Sequence, residues 1–278
     1  MFRKPFRMVA VLALVGLLGA VAVAPVGAAT RTQTQGITDD EITIVALISD
    51  LDGLRDKGFN LPPKLTTGNL LRRWEGYANS FCQQLSQKGV RTGTSGGDCT
   101  INGRKIVVKP AVWDPIDATT YDQACTQATQ DNQPFVVVNG NGYRQSSIAC
   151  ITVDNQTPMF YGESVYNELV KASGNRLVAL GLNAESNAAT TASLLQKAEL
   201  APKSAKIGIL SGNEPGIKAA GDALEKELKK AKYDVVQKVE VNTLQADPTA
   251  INRESGAAVA TLQAAGADTV MILIPFTA

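Results

Sequence analysis

Beyond residue 40 the chain alternates short apolar runs with longer stretches whose apolar side chains recur every three or four positions. The first kind predicts buried strands and the second amphipathic helices. In the first half, strands are predicted at residues 42–48 (ITIVALI), 106–112, 135–139 and 158–161. A long helix falls between the first two, where Leu70, Leu71, Trp74, Tyr77, Ala78, Phe81 and Leu85 share one face. Shorter helices are predicted at residues 118–131 and 145–153. Residues 49–67, broken by Gly53, Gly58, Pro62 and Pro63, read as an irregular loop, and residues 93–98 as a Gly-rich turn. The second half keeps the rhythm, with strands at 177–182, 206–210, 234–241 and 269–274 and helices at 188–199, 217–231 and 250–265. Short strands alternating with helices mean βαβ units and parallel sheets.

The N-terminus stands apart from this pattern. Arg3, Lys4 and Arg7 precede an apolar stretch of Ala, Val, Leu and Gly at residues 8–23, and small residues follow up to Ala28 and Ala29. That design predicts a secretory signal peptide over residues 1–29, with an uncleaved membrane anchor as the rival reading. No Cys lies near the cleavage point, which argues against lipid anchoring. Removing three of the 27 basic residues leaves 24 against 26 acidic ones. A near-neutral chain argues against nucleic-acid binding.

The four cysteines, Cys82, Cys99, Cys125 and Cys150, suggest two disulfides in an exported chain, with three connectivities possible. Buried thiols or a metal site are the alternatives, but there is no CxxC pair and no His. If the first half is doubly wound in strand order 2-1-3-4, right-handed crossovers put its second and third helices on one face. Those helices carry Cys125 and Cys150. Cys82 lies near the end of the first helix and Cys99 in the loop after it. The favoured pairs are therefore Cys82–Cys99 and Cys125–Cys150.

Catalytic patterns do not survive inspection. Without histidine there is no Ser-His or Cys-His arrangement, and GILSG around Ser211 is not GxSxG. Gly140-Asn141-Gly142 follows a strand, yet Gln145 stands where a dinucleotide motif needs its third glycine. Asp50, Asp52 and Asp56 hint at calcium, but Leu61 occupies the position of the closing glutamate. Trp113 reads as a strand end packed locally, and Lys229, Lys230 and Lys232 as a solvated helix face. What remains is a set of polar loops at strand ends: residues 49–53, 140–147, 162–164, 183–186 and 211–214. Ligands of doubly wound domains bind at such loops.

Several segments resemble a known family. GITDDEITIVALISD is similar to the opening of type I periplasmic binding proteins, in particular the branched-chain amino acid branch of ABC-transporter solute receptors. INGRKIVVKPAVWDPIDATTYDQACTQATQDNQPFVVVNG resembles that family's stretch from the second strand to the third. SAKIGILSGNEPGIKAAGDALEKELKKAKYDVVQKVEVNTLQADPTAINRESGAAVATLQAAGADTVMIL resembles its second lobe, down to the turn at Asp247. The likeness runs in order over most of residues 36–276.

The resemblance implies an α/β fold of two doubly wound parallel-sheet lobes, residues 30–165 and 175–276, joined by a hinge. It implies an exported, periplasmic or extracytoplasmic receptor that closes on a small polar solute and docks to an ABC permease at the membrane, with no enzyme activity and no cofactor. A ligand-binding sensor domain feeding a signalling partner is the alternative. Family contacts correspond to Asp52, to Gly140, Asn141, Gly142 and Tyr143, and to Gly162, Glu163 and Ser164 in lobe one. In lobe two they correspond to Asn213, Glu214 and Phe276. Glu163 is a candidate partner for a ligand amine and Arg144 for a ligand carboxylate. Three departures argue against leucine-type specificity: Asn-Gly-Tyr-Arg at 141–144 in place of a Ser/Thr-rich loop, Pro215 in place of the usual Tyr, and a longer, Pro-rich loop after strand one. In that family the chain crosses back to lobe one after the strand at 269–274. The resemblance therefore implies a C-terminally incomplete chain, with a lobe-one sheet short of its last strands and apolar surface uncovered on its helices.

Overall fold

The computed structural model describes residues 34–95, 98–140, 142–243 and 248–274. The predicted signal peptide, Asn141, Asp247 and Phe276 lie outside the described residues.

Two β-sheets organise these residues. Strand β1 (Glu41–Ser49) is central to the first, paired in parallel with β4 (Arg104–Trp113) on one side and β5 (Val136–Asn139) on the other. Strand β6 (Met159–Tyr161) pairs with β5, and β7 (Leu177–Ala179) with β6, both parallel. The hairpin β2 (Thr92–Ser95) and β3 (Asp98–Ile101) extends the other edge, giving the order β2-β3-β4-β1-β5-β6-β7. The 2-1-3-4 order supposed for the cysteine argument is present as β4-β1-β5-β6.

Alternation along the strands decides which face meets which helix. Val45, Leu47, Ala111, Trp113, Val137, Met159, Tyr161 and Leu177 point to one core. Helix α3 (Thr119–Thr126), helix α4 (Gln145–Ala149) and helix α5 (Asn167–Ser173) cover that face with Tyr121, Ala124, Ile148 and Leu169. Each of α3 and α4 runs on into a π-helical turn, Gln127–Asp131 and Cys150–Asp154. The Cys125–Cys150 disulfide, with Cα atoms 6.3 Å apart, joins α3 to the turn that continues α4. On the opposite face, helix α2 (Thr67–Ser86) packs against β1, β3 and β4 and is tied to β3 by Cys82–Cys99.

The second sheet has the order β10-β8-β9, all parallel: β8 (Lys206–Gly212), β9 (Asp234–Val241) and β10 (Thr269–Leu273). Helix α6 (Ala184–Lys197) and helix α7 (Pro215–Lys230) pack on the face carrying Ile207 and Ile209. Helix α8 (Pro248–Ala264) covers the face of Leu210 and Val241 with Ala258 and Leu262. The cores of the two sheets share no residue.

Several expectations need correction. The strand expected at 177–182 in the second half is the last strand of the first sheet, so the chain crosses between sheets after Ala179 and not at 165–175. The loop at 49–67 begins with a short helix, α1 (Leu51–Asp56), because the Asp50 carboxylate caps it by accepting from the Gly53 amide at 2.9 Å. The stretch expected as a turn at 93–98 lies in strands β2 and β3 at its described residues, and helix α5 falls where no element was predicted. Helix α2 does not bury the whole of its apolar face, since Tyr77 is 62% and Phe81 56% exposed. The strand at 269–274 packs Met271 and Leu273, both half-buried, against the second core but leaves Val270, Ile272 and Ile274 exposed. On the first sheet, Phe160 and Val178 are neighbours on β6 and β7 and both are exposed. Uncovered apolar surface therefore lies on sheet faces as well as on helices.

Candidate functional site

All the strands of the parallel ladders end on one edge of their sheets, and the flagged loops leave from those ends. After β5 comes Gly140, and after β6 comes Gly162, whose amide donates to the Asn139 carbonyl at 2.9 Å. Gly142 has φ +78°, a conformation glycine adopts freely, and a Cβ there would lie 3.4 Å from the Trp113 ring. This loop therefore lies over the end of β4.

Beneath it is an aromatic cluster. Trp113 and Tyr143 are each 1% exposed, and Tyr121 packs at 5.0 Å from the Trp113 ring and 5.4 Å from that of Tyr143. The Tyr143 hydroxyl donates to the Tyr121 carbonyl at 3.0 Å. The Tyr161 hydroxyl lies 2.8 Å from both the Tyr143 carbonyl and Glu163 Oε2. Glu163 Oε1 in turn accepts from the Gly142 amide at 3.2 Å. Glu163 thus braces the 142–143 loop from the neighbouring strand end. Burial pushes the Tyr121 phenol up to about 12 and those of Tyr143 and Tyr161 higher still, so all three stay neutral hydrogen-bonding groups at ordinary pH.

Arg144 lays its guanidinium over the Tyr121 ring, 4.6 Å from the centroid. The next residue meets the second sheet: the Gln145 amide donates to Glu214 Oε1 at 2.8 Å. Glu214 is 7% exposed, and burial raises its pKa above the ordinary glutamate range. The amides of Gln145 and Ser146 and the charge of Arg144 oppose that rise, while the charge of Glu163 adds to it.

Other predicted residues are spent on partners within the chain. The Asp52 carboxylate accepts from Arg55 at 2.8 Å and from the Thr67 amide at 3.2 Å, which ties α1 to the start of α2. Ser164 Oγ accepts from Asn187 on α6. Asn213 accepts from the Thr243 amide at 3.1 Å and holds the ends of β8 and β9 together. The loop residues 140, 142–143 and 162–163 and Glu214 are brought together through Tyr161 and Gln145. Asp52 and Asn213 serve their own loops.

Trp74, Tyr121 and Tyr161 escaped the sequence reading because aromatic residues on helix faces and strand ends look like core. Trp74 nevertheless reaches the site, since a Cβ on Gly140 would lie 3.6 Å from its ring. The signal for Tyr161 was its place as the last residue before the 162–164 loop. Among the described residues no cluster of three His, Cys, Asp or Glu side chains is placed to hold a metal. An open groove of about 750 Å³ between α6 and α7, lined in part by Gln196, Lys203 and Glu227, shares no residue with these loops.

No family model and no curated protein matches the sequence. Solved structures do match the fold. A periplasmic binding protein from Burkholderia mallei superposes with a TM-score of 0.55 at 14% identity, over 86% of this chain and 54% of that one. The fold is that of the type I periplasmic binding proteins. A solute-binding protein of an ABC transporter from R. palustris, solved with 4-hydroxybenzoate, gives a TM-score of 0.54 at 13% identity over 85% and 54%. A leucine-binding protein from Thermotoga maritima gives 0.51 at 13% over 83% and 55%. The chain spans about half the length of these periplasmic binding proteins.

Proposed function

We propose that this chain is the solute-binding portion of an exported ABC-uptake receptor, which holds a small polar solute between its two sheets and performs no chemistry on it. The observation that supports this reading is the Gln145–Glu214 contact, which brings strand-end loops of two separately cored sheets together. The likeness to solved binding proteins supports it, and so does the small-residue, backbone-rich character of the loops at 140–143 and 162–164.

Between the sheets, Gly140, Gly142, Tyr143, Gly162 and Ser164 supply ligand contacts through backbone groups and small side chains; Asn141 and Phe276, which the family resemblance adds to this set, lie outside the described residues. Arg144 offers its guanidinium to a ligand carboxylate, stacked as it is on Tyr121. Glu163 meets the Gly142 amide with one oxygen and the Tyr161 hydroxyl with the other, and pairs a ligand amine with the remaining lone pairs of its carboxylate. An amino acid fits this pairing in full, and a small aromatic acid fits its carboxylate half. The partner is a membrane permease that reads the closed form.

A thermal-shift screen over amino acids, amides and hydroxybenzoates tests the proposal. A carboxylate-bearing solute is expected to raise Tm, and Arg144→Ala to abolish the rise. A screen in which no solute shifts Tm would overturn it.

A further inference from the structure

Helices α4 and α5 share a defect: neither has a side-chain cap of its own. Their N-cap residues are Arg144 and Tyr166, and neither makes a side-chain capping bond. The first amides of a helix have no partner within it and need an acceptor from elsewhere. Here the acceptors come from the other sheet's helices. Glu214, which precedes α7, accepts from the Gln145 amide at 2.8 Å. Glu185, in the first turn of α6, accepts from the Asn167 amide at 3.0 and 3.2 Å through its two oxygens.

Both contacts join bodies whose apolar cores are separate, alongside the Ala184 amide on the Val165 carbonyl and the Asn187–Ser164 bond. Their places relative to the chain crossing differ. Glu185 lies just past the crossing, 18 residues from its partner, and Asn183 beside it donates to Asn167 Oδ1 at 2.8 Å. Glu214 is 69 residues from its partner. A second feature marks the Glu214 contact as a close seating of α7 on α4: a Cβ on Gly216 would overlap the Gln145 side-chain amide, whose buried oxygen has no hydrogen-bond partner.

We propose that Glu185 and Glu214 act as pivot and latch. Glu185 keeps α5 capped beside the crossing whatever the angle between the sheets, whereas Glu214 caps α4 only while the cleft is closed. This assigns Glu214 to closure and not to the solute, and it rests on the reading of the region between the sheets as a cleft that opens. Opening moves elements far from the crossing more than those beside it, as hinge motion requires. The Gln145 and Ser146 amides are then freed together.

Residue-resolved amide hydrogen exchange on the whole chain tests this. The Gln145 and Ser146 amides are expected to exchange faster than that of Asn167. Glu214→Ala should accelerate them by about tenfold or more, leaving Asn167 unchanged. Glu185→Ala should do the reverse at Asn167. Glu214→Gln keeps a carbonyl acceptor and should retain most of the protection, which separates loss of the cap from a folding defect. Unchanged exchange at Gln145 in Glu214→Ala, or an equal acceleration at all three amides, would overturn the latch. A solute that raises Tm should slow exchange at Gln145. If no solute does so while the variants behave as stated, the receptor reading fails and the latch stands.

Discussion

Gly162 packs against Gly140 so closely that a Cβ on Gly162 would overlap the Gly140 carbonyl oxygen and crowd its Cα. The obstacle is backbone, so no rotamer change relieves it. Gly162→Ala must push the ends of β5 and β6 apart, and overpacking of this kind costs about 1–3 kcal/mol. Denaturant unfolding should show a loss in that range, together with weakened solute binding. Unaltered stability would mean that the two loops are not in contact.

Stability should depend on pH through Glu214. Its pKa is raised in the folded chain, because burial outweighs the Gln145 and Ser146 amides and Arg144. A raised carboxylate contributes stability that is fully present below its unfolded pKa and is lost as pH rises through the folded value. Glu214→Gln removes that dependence. Wild type should therefore lose ground to Glu214→Gln as pH rises from about 4, near the unfolded glutamate value, through the raised one. Tm measured for both from pH 4 to 8 checks this, and a constant gap would refute it.

The two disulfides close loops of 17 and 25 residues. In the chain-entropy model each contributes about 3 kcal/mol. Reduction should lower Tm markedly. Cys125→Ser paired with Cys150→Ser should in addition loosen α4, and with it the Gln145–Glu214 contact. Equal Tm with and without reductant would show that the pairs do not form.

Among the described residues strand β10 lies at the edge of its sheet, and Ile272 on it is 62% exposed beside Val270 and Ile274. Open apolar edges invite strand addition from other molecules. Ile272→Lys places a charge on the open face without touching Met271 or Leu273, and light scattering on concentration should show less association. Aggregation equal to wild type would place the sticky surface elsewhere, the exposed Phe160–Val178 pair being the next candidate.

The run ITIVALI, the face of α7 and the spacing of the cysteines were legible because each depends on neighbours close in sequence. Apolar period and βαβ handedness are local or nearly local properties, and once a 2-1-3-4 order was supposed they were enough for the disulfide pairs. The polar strand-end loops could be found the same way. The sequence by itself therefore determined the alternating α/β class, the absence of histidine chemistry and the loops at the strand ends. Only the tertiary structure decided that β7 completes the first sheet, since a three-residue apolar strand can pair with either sheet. It also decided the uses of Glu163 and Glu214. A glutamate in a loop reads as solvated until its acceptor oxygens meet particular amides, Gly142 for one and Gln145 for the other, and those partners are 21 and 69 residues away in the chain.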